Sequence, residues 1–291
     1  MINTNELTIF VNSCDLYADA WPLFFTLFKQ NGGKILHYPI VLATEKKHYC
    51  FEDMKIHTIS SGFQSTWSKR MVTSCQQIES EYFLFTLEDY FLLSKFNYEE
   101  FNKIFSFMKA DKNIGYVGFS RRTDVKQNCG QWSVLDLTKQ RMNLTVSIWK
   151  KDFFIKLLRK HESIWDFERY SHIRALQYNY IALTGNLSTP EIYRYMQPSS
   201  VENGKNAVGG GYGIIRGKWF KETQKLTEEY GVKVNFANLG FYEPQTQDGK
   251  KDVTLTKQYP LIIQKIINRY RKYKHRLVKW LEKRRLEKSY H

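Results

Sequence analysis

This chain is short of the features that staple or anchor proteins. Its four cysteines (Cys14, Cys50, Cys75 and Cys129) are scattered, with no C-x-x-C spacing. Neither a zinc site nor a dithiol redox centre is indicated, and a reducing compartment fits. Proline is scarce, six residues against sixteen glycines; with 42% hydrophobic and 25% charged residues this excludes collagen-like, disordered and disulfide-scaffold chains. No apolar run approaches the roughly 18 residues of a membrane span. The polar stretch from Met1 to Glu6 lacks the basic start and long apolar core of a secretory signal. A cytoplasmic protein is expected, in which N-x-T at Asn143 and N-x-S at Asn186 are chance matches.

What is present begins with length: 291 residues bury a large core as one α/β domain or two smaller ones. The formal charge is +15, from 44 Lys and Arg against 29 acids, and it is unevenly placed. Residues 261–288 hold eleven Lys or Arg and two acids, so +9 of the excess belongs to the tail. There Ile263, Ile266, Tyr270, Tyr273, Leu277 and Trp280 recur at spacings of three and four, one apolar helical face among cations. That composition suits an anionic membrane surface. A helix packed on its own domain, a seam pairing with a second copy, and nucleic-acid binding are the alternatives.

Apolar runs at 7–12, 38–43, 54–59 and 82–87 read as strands, and 21–29 and 65–79 as helices between them. This alternation predicts a mainly parallel sheet flanked by helices. Further on, a helix at 99–110, strands at 114–119, 131–137 and 144–149, and helices at 151–160 and 218–230 are expected. The organisation is one α/β domain over 1–245, a polar linker over 246–259 and a basic helical tail over 260–291.

Three constellations carry chemistry. Glu88-Asp89 closes the continuous apolar run 82–87; in open α/β sheets ligands bind beyond the carboxyl ends of strands. Two acids there meet solvent or hold a Mg2+ or Mn2+ that in turn binds a diphosphate. Asp15 and Asp19 follow the first strand, Thr44-Glu45 the second, and Ser65-x-Trp67-Ser68-x-Arg70 opens a helix, a natural phosphate site. The second constellation is Glu162-Ser-Ile-Trp165-Asp166-Phe-Glu168-Arg169, where Trp165 can stack on a sugar and Asp166 or Glu168 can act as a base. Equally, Trp165 and Phe167 can pack inward while the acids pair with Arg169 or Arg174. The third is the glycine run Gly209, Gly210, Gly211 and Gly213 with Arg216 and Lys218, a phosphate cradle or simply a loop.

Phe10-Val-Asn-Ser-Cys-Asp15 with Tyr17 and Trp21-Pro22, Thr44-Glu45, Trp67-Ser68-x-Arg70, Ser80-Glu-Tyr82 and Leu87-Glu-Asp-Tyr-Phe91 resemble segments of bacterial GT-A-type glycosyltransferases that build surface polysaccharides. The resemblance extends through Ile148-Trp149, Trp165-Asp-Phe-Glu168 and Gly217-Lys-Trp219. It implies a GT-A-like, Rossmann-like sheet holding a nucleotide-sugar donor, with Glu88 and Asp89 in place of the usual D-x-D as ligands of a divalent cation or of the donor sugar. Since Glu88-Asp89-Tyr90 is not D-x-D, metal dependence is left open. It further implies Asp15, Glu45, Trp67, Arg70, Arg216 and Lys218 around the donor, Trp165 against the acceptor, and Glu168 as the base of an inverting transfer. A peripheral enzyme on the inner membrane face with a lipid-linked or surface glycan acceptor follows. The competing classes are a basic nucleic-acid-binding protein and a non-catalytic scaffold with a degenerate transferase fold.

Overall fold

A computed structural model describes residues 5–52, 54–62, 65–125, 127–195 and 213–243. The linker expected at 246–259, the tail at 260–291 and Gly209, Gly210 and Gly211 lie outside the described residues.

Among the described residues nine strands form one sheet: β1 (Leu7–Asn12), β2 (Ile40–Thr44), β3 (Ile56–Ser60), β4 (Tyr82–Leu87), β5 (Ile114–Arg121), β6 (Gln127–Cys129), β7 (Trp132–Val134), β8 (Ser147–Lys150) and β9 (Ile181–Gly185). Their order is β3-β2-β1-β4-β8-β5-β9-β7-β6. The first four pair in parallel, as the alternating pattern predicts. The expectation of a mainly parallel sheet needs correction beyond β4: β8 runs against both β4 and β5, and β7 against β9, so the sheet is mixed. The reason is local. No helix separates β5 from β8 among the described residues, and a parallel return requires a crossover that this stretch does not supply.

The sheet is sandwiched because each central strand is apolar on both faces. Leu7, Ile9 and Val11 pack with α1 (Trp21–Gly32) and α3 (Tyr98–Ala110), while Phe10 joins Phe83 and Phe85 on the other side. That second side is covered by α2 (Trp67–Gln76), α4 (Lys151–Leu157) and α5 (Ile164–Ala175). Phe24, Phe25 and Phe28 of α1 are fully buried, each such side chain contributing about 1.5–3 kcal/mol. Side-chain caps fix where helices start. Thr66 accepts from the Lys69 N–H and Asn97 from the Glu100 N–H, at 3.3 and 3.2 Å.

The helix expected over 218–230 is shorter. Lys218–Trp219 is strand β11, paired antiparallel with β10 (Ile214–Ile215), and α6 begins only at Thr223 (Thr223–Glu229). The order β3-β2-β1-β4 places β2 and β4 on opposite sides of β1. Such a switch in winding direction opens a crevice at the carboxyl ends of β1 and β4.

Candidate functional site

Two segments meet at that crevice: Ser13-Cys14-Asp15 after β1 and Glu88-Asp89 after β4. Glu88 is 4% and Asp89 8% exposed. Burial, and for Glu88 the neighbouring Asp89 charge, hold Glu88 well above the usual carboxylate range. Burial alone pushes Asp89 up to about 7. Trp21 donates its indole N–H to Ser13 Oγ at 2.7 Å, and the Ser13 side chain in turn hydrogen-bonds Glu88. The Ser13 hydroxyl also donates to the Cys14 carbonyl, at 3.3 Å. The Cys14 thiol is pushed up to about 12 by burial and the Glu88 charge, the Tyr17 phenol likewise by burial and then by Cys14, Glu88 and Asp89.

The β10–β11 hairpin closes over the acids. Its turn is Arg216-Gly217, both left-handed at φ 51° and 77°, as a two-residue turn matched to strand twist requires. The Gly213 N–H donates to the Asp89 carbonyl at 2.9 Å, and the Ile214 N–H reaches the Asp89 side chain. A Cβ on Gly217 would lie 3.8 Å from the Tyr17 hydroxyl, so the turn that carries Arg216 rests beside the residue facing the acid pair. The Arg216 guanidinium lies 6.0 Å from the Tyr242 ring centre, and Lys218 is exposed.

Asp15, Glu45 and Arg70 are brought together at the neighbouring rim. The Asp15 carboxylate accepts the backbone N–H groups of Glu45, Lys46 and Lys47, at 3.1 to 3.2 Å. Glu45 accepts from the Asp15 N–H at 3.1 Å and is ion-paired with Arg70. These groups tie the loops after β1 and β2 to the start of α2. Trp67, expected beside the donor, is instead a core residue: it donates to Asn12 Oδ1 at 3.2 Å and packs on Phe154 and Phe167. The motif states the residue type, whereas its burial comes from the packing of α2 on α4 and α5.

Glu168 stands on α5. Its carboxylate accepts the Leu144 N–H at 2.8 Å, and burial raises its pKa against that bond and the Arg141 charge. Because β8 is antiparallel, with Ser147 opposite Phe85 and Gly118, Leu144 lies just beyond the carboxyl ends of β4 and β5. Glu168 therefore sits at the same edge of the sheet as Glu88 and Asp89. Asp166 is otherwise employed: it forms a capping box with Ser163, accepting the Ser163 N–H at 3.3 Å and its hydroxyl at 2.9 Å. Trp165 is 69% exposed; it does not pack inward, whereas Phe167 does. The start of α5 is marked in the sequence by the capping signal Ser163-x-x-Asp166.

Glu88 and Asp89 are also the residues that fit a divalent cation. They are two buried carboxylates with raised pKa values, and no cluster of three or more His, Cys, Asp or Glu occurs among the described residues. Mg2+-like ions are commonly held by one or two carboxylates, the remaining ligands coming from substrate phosphate and water.

No family model matches the chain, and neither does any curated protein. Solved structures do. The mannosyltransferase PcManGT from Pyrobaculum calidifontis, in complex with GDP-Man and Mn2+, aligns at TM-score 0.46 and 11% identity over 63% of this chain and 55% of its own. S. aureus TarS 1-349 aligns at 0.38 and 12%, over 65% and 59%. A CMP:2-keto-3-deoxy-manno-octonic acid synthetase complexed with CTP aligns at 0.40 and 11%, over 62% and 90%. This chain thus spans under two thirds of the first two. No TM-score among the three reaches 0.5, so it is the site itself that bears on function.

Proposed function

We propose that this chain is a glycosyltransferase that moves a sugar from a nucleotide-diphosphate donor to a hydroxyl of a lipid-linked or surface glycan. The observation that carries this reading is the buried pair Glu88–Asp89 at the switch point of the sheet, beneath the turn bearing Arg216. Paired acids in a desolvated crevice call for a cation, and a cation there calls for phosphate. Asp15, Glu45 and Arg70 would shape the nucleotide end, with Trp67 acting through Asn12. Arg216 and Lys218 would meet the diphosphate. Glu88 and Asp89 would hold Mn2+ or Mg2+, which supplies positive charge to the departing phosphates.

Glu168 would take the acceptor proton. The acceptor oxygen then bonds to the anomeric carbon as the bond from that carbon to the diphosphate oxygen breaks, and the nucleoside diphosphate leaves. A base opposite the leaving group gives inversion. The tail would hold the enzyme on an anionic membrane; truncation after Gln258 should abolish binding to phosphatidylglycerol vesicles and leave nucleotide-sugar binding in place. The deciding experiment is a thermal-shift screen with UDP-, GDP-, CMP- and dTDP-sugars, with and without Mn2+. A donor raises the melting temperature in proportion to its affinity, and a screen with no stabilising nucleotide sugar would remove the reading.

A further inference from the structure

We infer that Asp19 and Asn238 are positioning residues of the donor site: their hydrogen bond ties the β10–β11 unit to the segment after β1 and so sets where Arg216 stands over the diphosphate. This rests on the transferase reading and adds two residues to it. The Asn238 side-chain amide donates to Asp19 Oδ2 at 2.7 Å, across 219 positions of sequence. Asp19 belongs to a short 3-10 helix, Asp15–Ala20, that follows β1. Asn238 belongs to another, Phe236–Asn238, whose start is fixed by Asn235 accepting the Ala237 N–H at 3.1 Å. That second turn is bound directly to β11. The Trp219 N–H donates to the Gly240 carbonyl and the Tyr242 N–H to the Trp219 carbonyl, both at 2.8 Å, while the Gly240 N–H returns to the Phe236 carbonyl at 2.9 Å. Asn238 and the Arg216-Gly217 turn therefore belong to one hydrogen-bonded body.

This body is held on two sides by contacts of unlike character. On the β4 side the Gly213 N–H donates to the Asp89 carbonyl at 2.9 Å, Gly213 lies against the Phe91 ring, and Trp219 is fully enclosed. On the β1 side the contacts are the Asp19–Asn238 bond and the approach of Gly217 to the Tyr17 hydroxyl, and Asn238 is exposed. The buried side is a fixed root, whereas an exposed tie opens at small cost. Because β1 and β4 are neighbours in the sheet, the body spans the crevice between their carboxyl ends, and both sides together place the Arg216 turn. With the β1 side released, the turn is held from one side alone and the guanidinium stands over the diphosphate in a smaller fraction of molecules. Apparent donor affinity falls by that fraction. A carboxylate accepting an amide proton is a charge-assisted pair, so this tie is stronger than one between two neutral groups.

The test follows the full chain with UDP-, GDP-, CMP- and dTDP-sugars and Mn2+ by thermal shift, alongside amide hydrogen exchange in the β10–β11 hairpin. Asp19→Ala removes the acceptor, and Asn238→Asp sets two carboxylates against each other. Each should lower affinity for the stabilising nucleotide sugar about three- to tenfold and speed exchange in the hairpin, with exchange in β1 and β4 unchanged. The exchanged pair, Asp19→Asn with Asn238→Asp, rebuilds the bond with donor and acceptor reversed and should restore both. Single variants that leave affinity unchanged overturn the inference, whether or not the hairpin loosens, because the bond then serves stability alone. So does an exchanged pair that restores neither readout, since the two side chains then act by something other than their mutual bond. If none of the four nucleotide sugars stabilises even the unaltered protein, it is the transferase reading that falls, and this inference with it.

Discussion

Gly213 lies so close to Phe91 that a Cβ added to it would stand 2.2 Å from the ring. The contact joins the hairpin that carries Arg216 to the strand end that carries Asp89, and only a residue without a side chain permits it. Gly213→Ala must therefore push the hairpin off the site. Overpacking of this kind costs about 1–3 kcal/mol. The expected result is a lower melting temperature together with weaker nucleotide-sugar binding, read by calorimetry. Intact donor affinity in a destabilised variant would show the hairpin to be structural only.

Arg174 and Glu162 form a fully enclosed, two-pronged ion pair, both bonds 2.8 Å, at the interface of α2 and α5. Removing one partner leaves a buried charge. Glu162→Gln or Arg174→Met is expected to destabilise by about 3–5 kcal/mol, whereas the Glu162→Leu, Arg174→Met double replacement should recover much of the loss. Urea denaturation of the three variants measures this.

Asp89 gives the pH dependence its sign. Its folded pKa of about 7 lies above its ordinary value of 3.8, so the folded state binds the proton more tightly than the unfolded chain. Its contribution to stability is full below about 3.8 and is lost as pH rises through about 7. Glu88, shifted in the same direction, adds to the trend. Melting temperature should fall from pH 5 to pH 8, and Asp89→Asn should flatten that slope. Mn2+ should stabilise more strongly at pH 8 than at pH 6, because it binds the ionised carboxylates.

Glu168→Gln keeps the shape of the residue and removes the base. Transfer is expected to fall about 10²- to 10⁴-fold, while the thermal shift with donor persists. Turnover within a few fold of the unaltered protein would remove the base assignment and leave inversion without support.

How much of this was legible beforehand varies by element. β1 and β4 were readable to the residue, since strands buried on both faces are continuous apolar runs bounded by polar residues. The site followed part of the way: Asp15, Glu45 and Arg70 do meet, and Glu88 and Asp89 do end a central strand. Trp67 and Asp166 did not follow, because a motif states residue type and not whether a side chain faces core, cap or crevice. Ser13, Trp21 and Gly213 stand in recognisable segments of the sequence, but that Ser13 and Trp21 orient Glu88, and that Gly213 and Ile214 reach Asp89, are contacts across the fold that no segment states.

The sequence by itself determined the first four strands and the helices α1 and α2 between them, and where the charge lies, because hydrophobic period and composition are local properties. Strand direction, the choice of the β1–β4 crevice, and the burial that lifts Glu88 and Asp89 were decided only by tertiary structure. Desolvation depends on what surrounds a carboxylate in space, and residues far apart in the chain supply those surroundings.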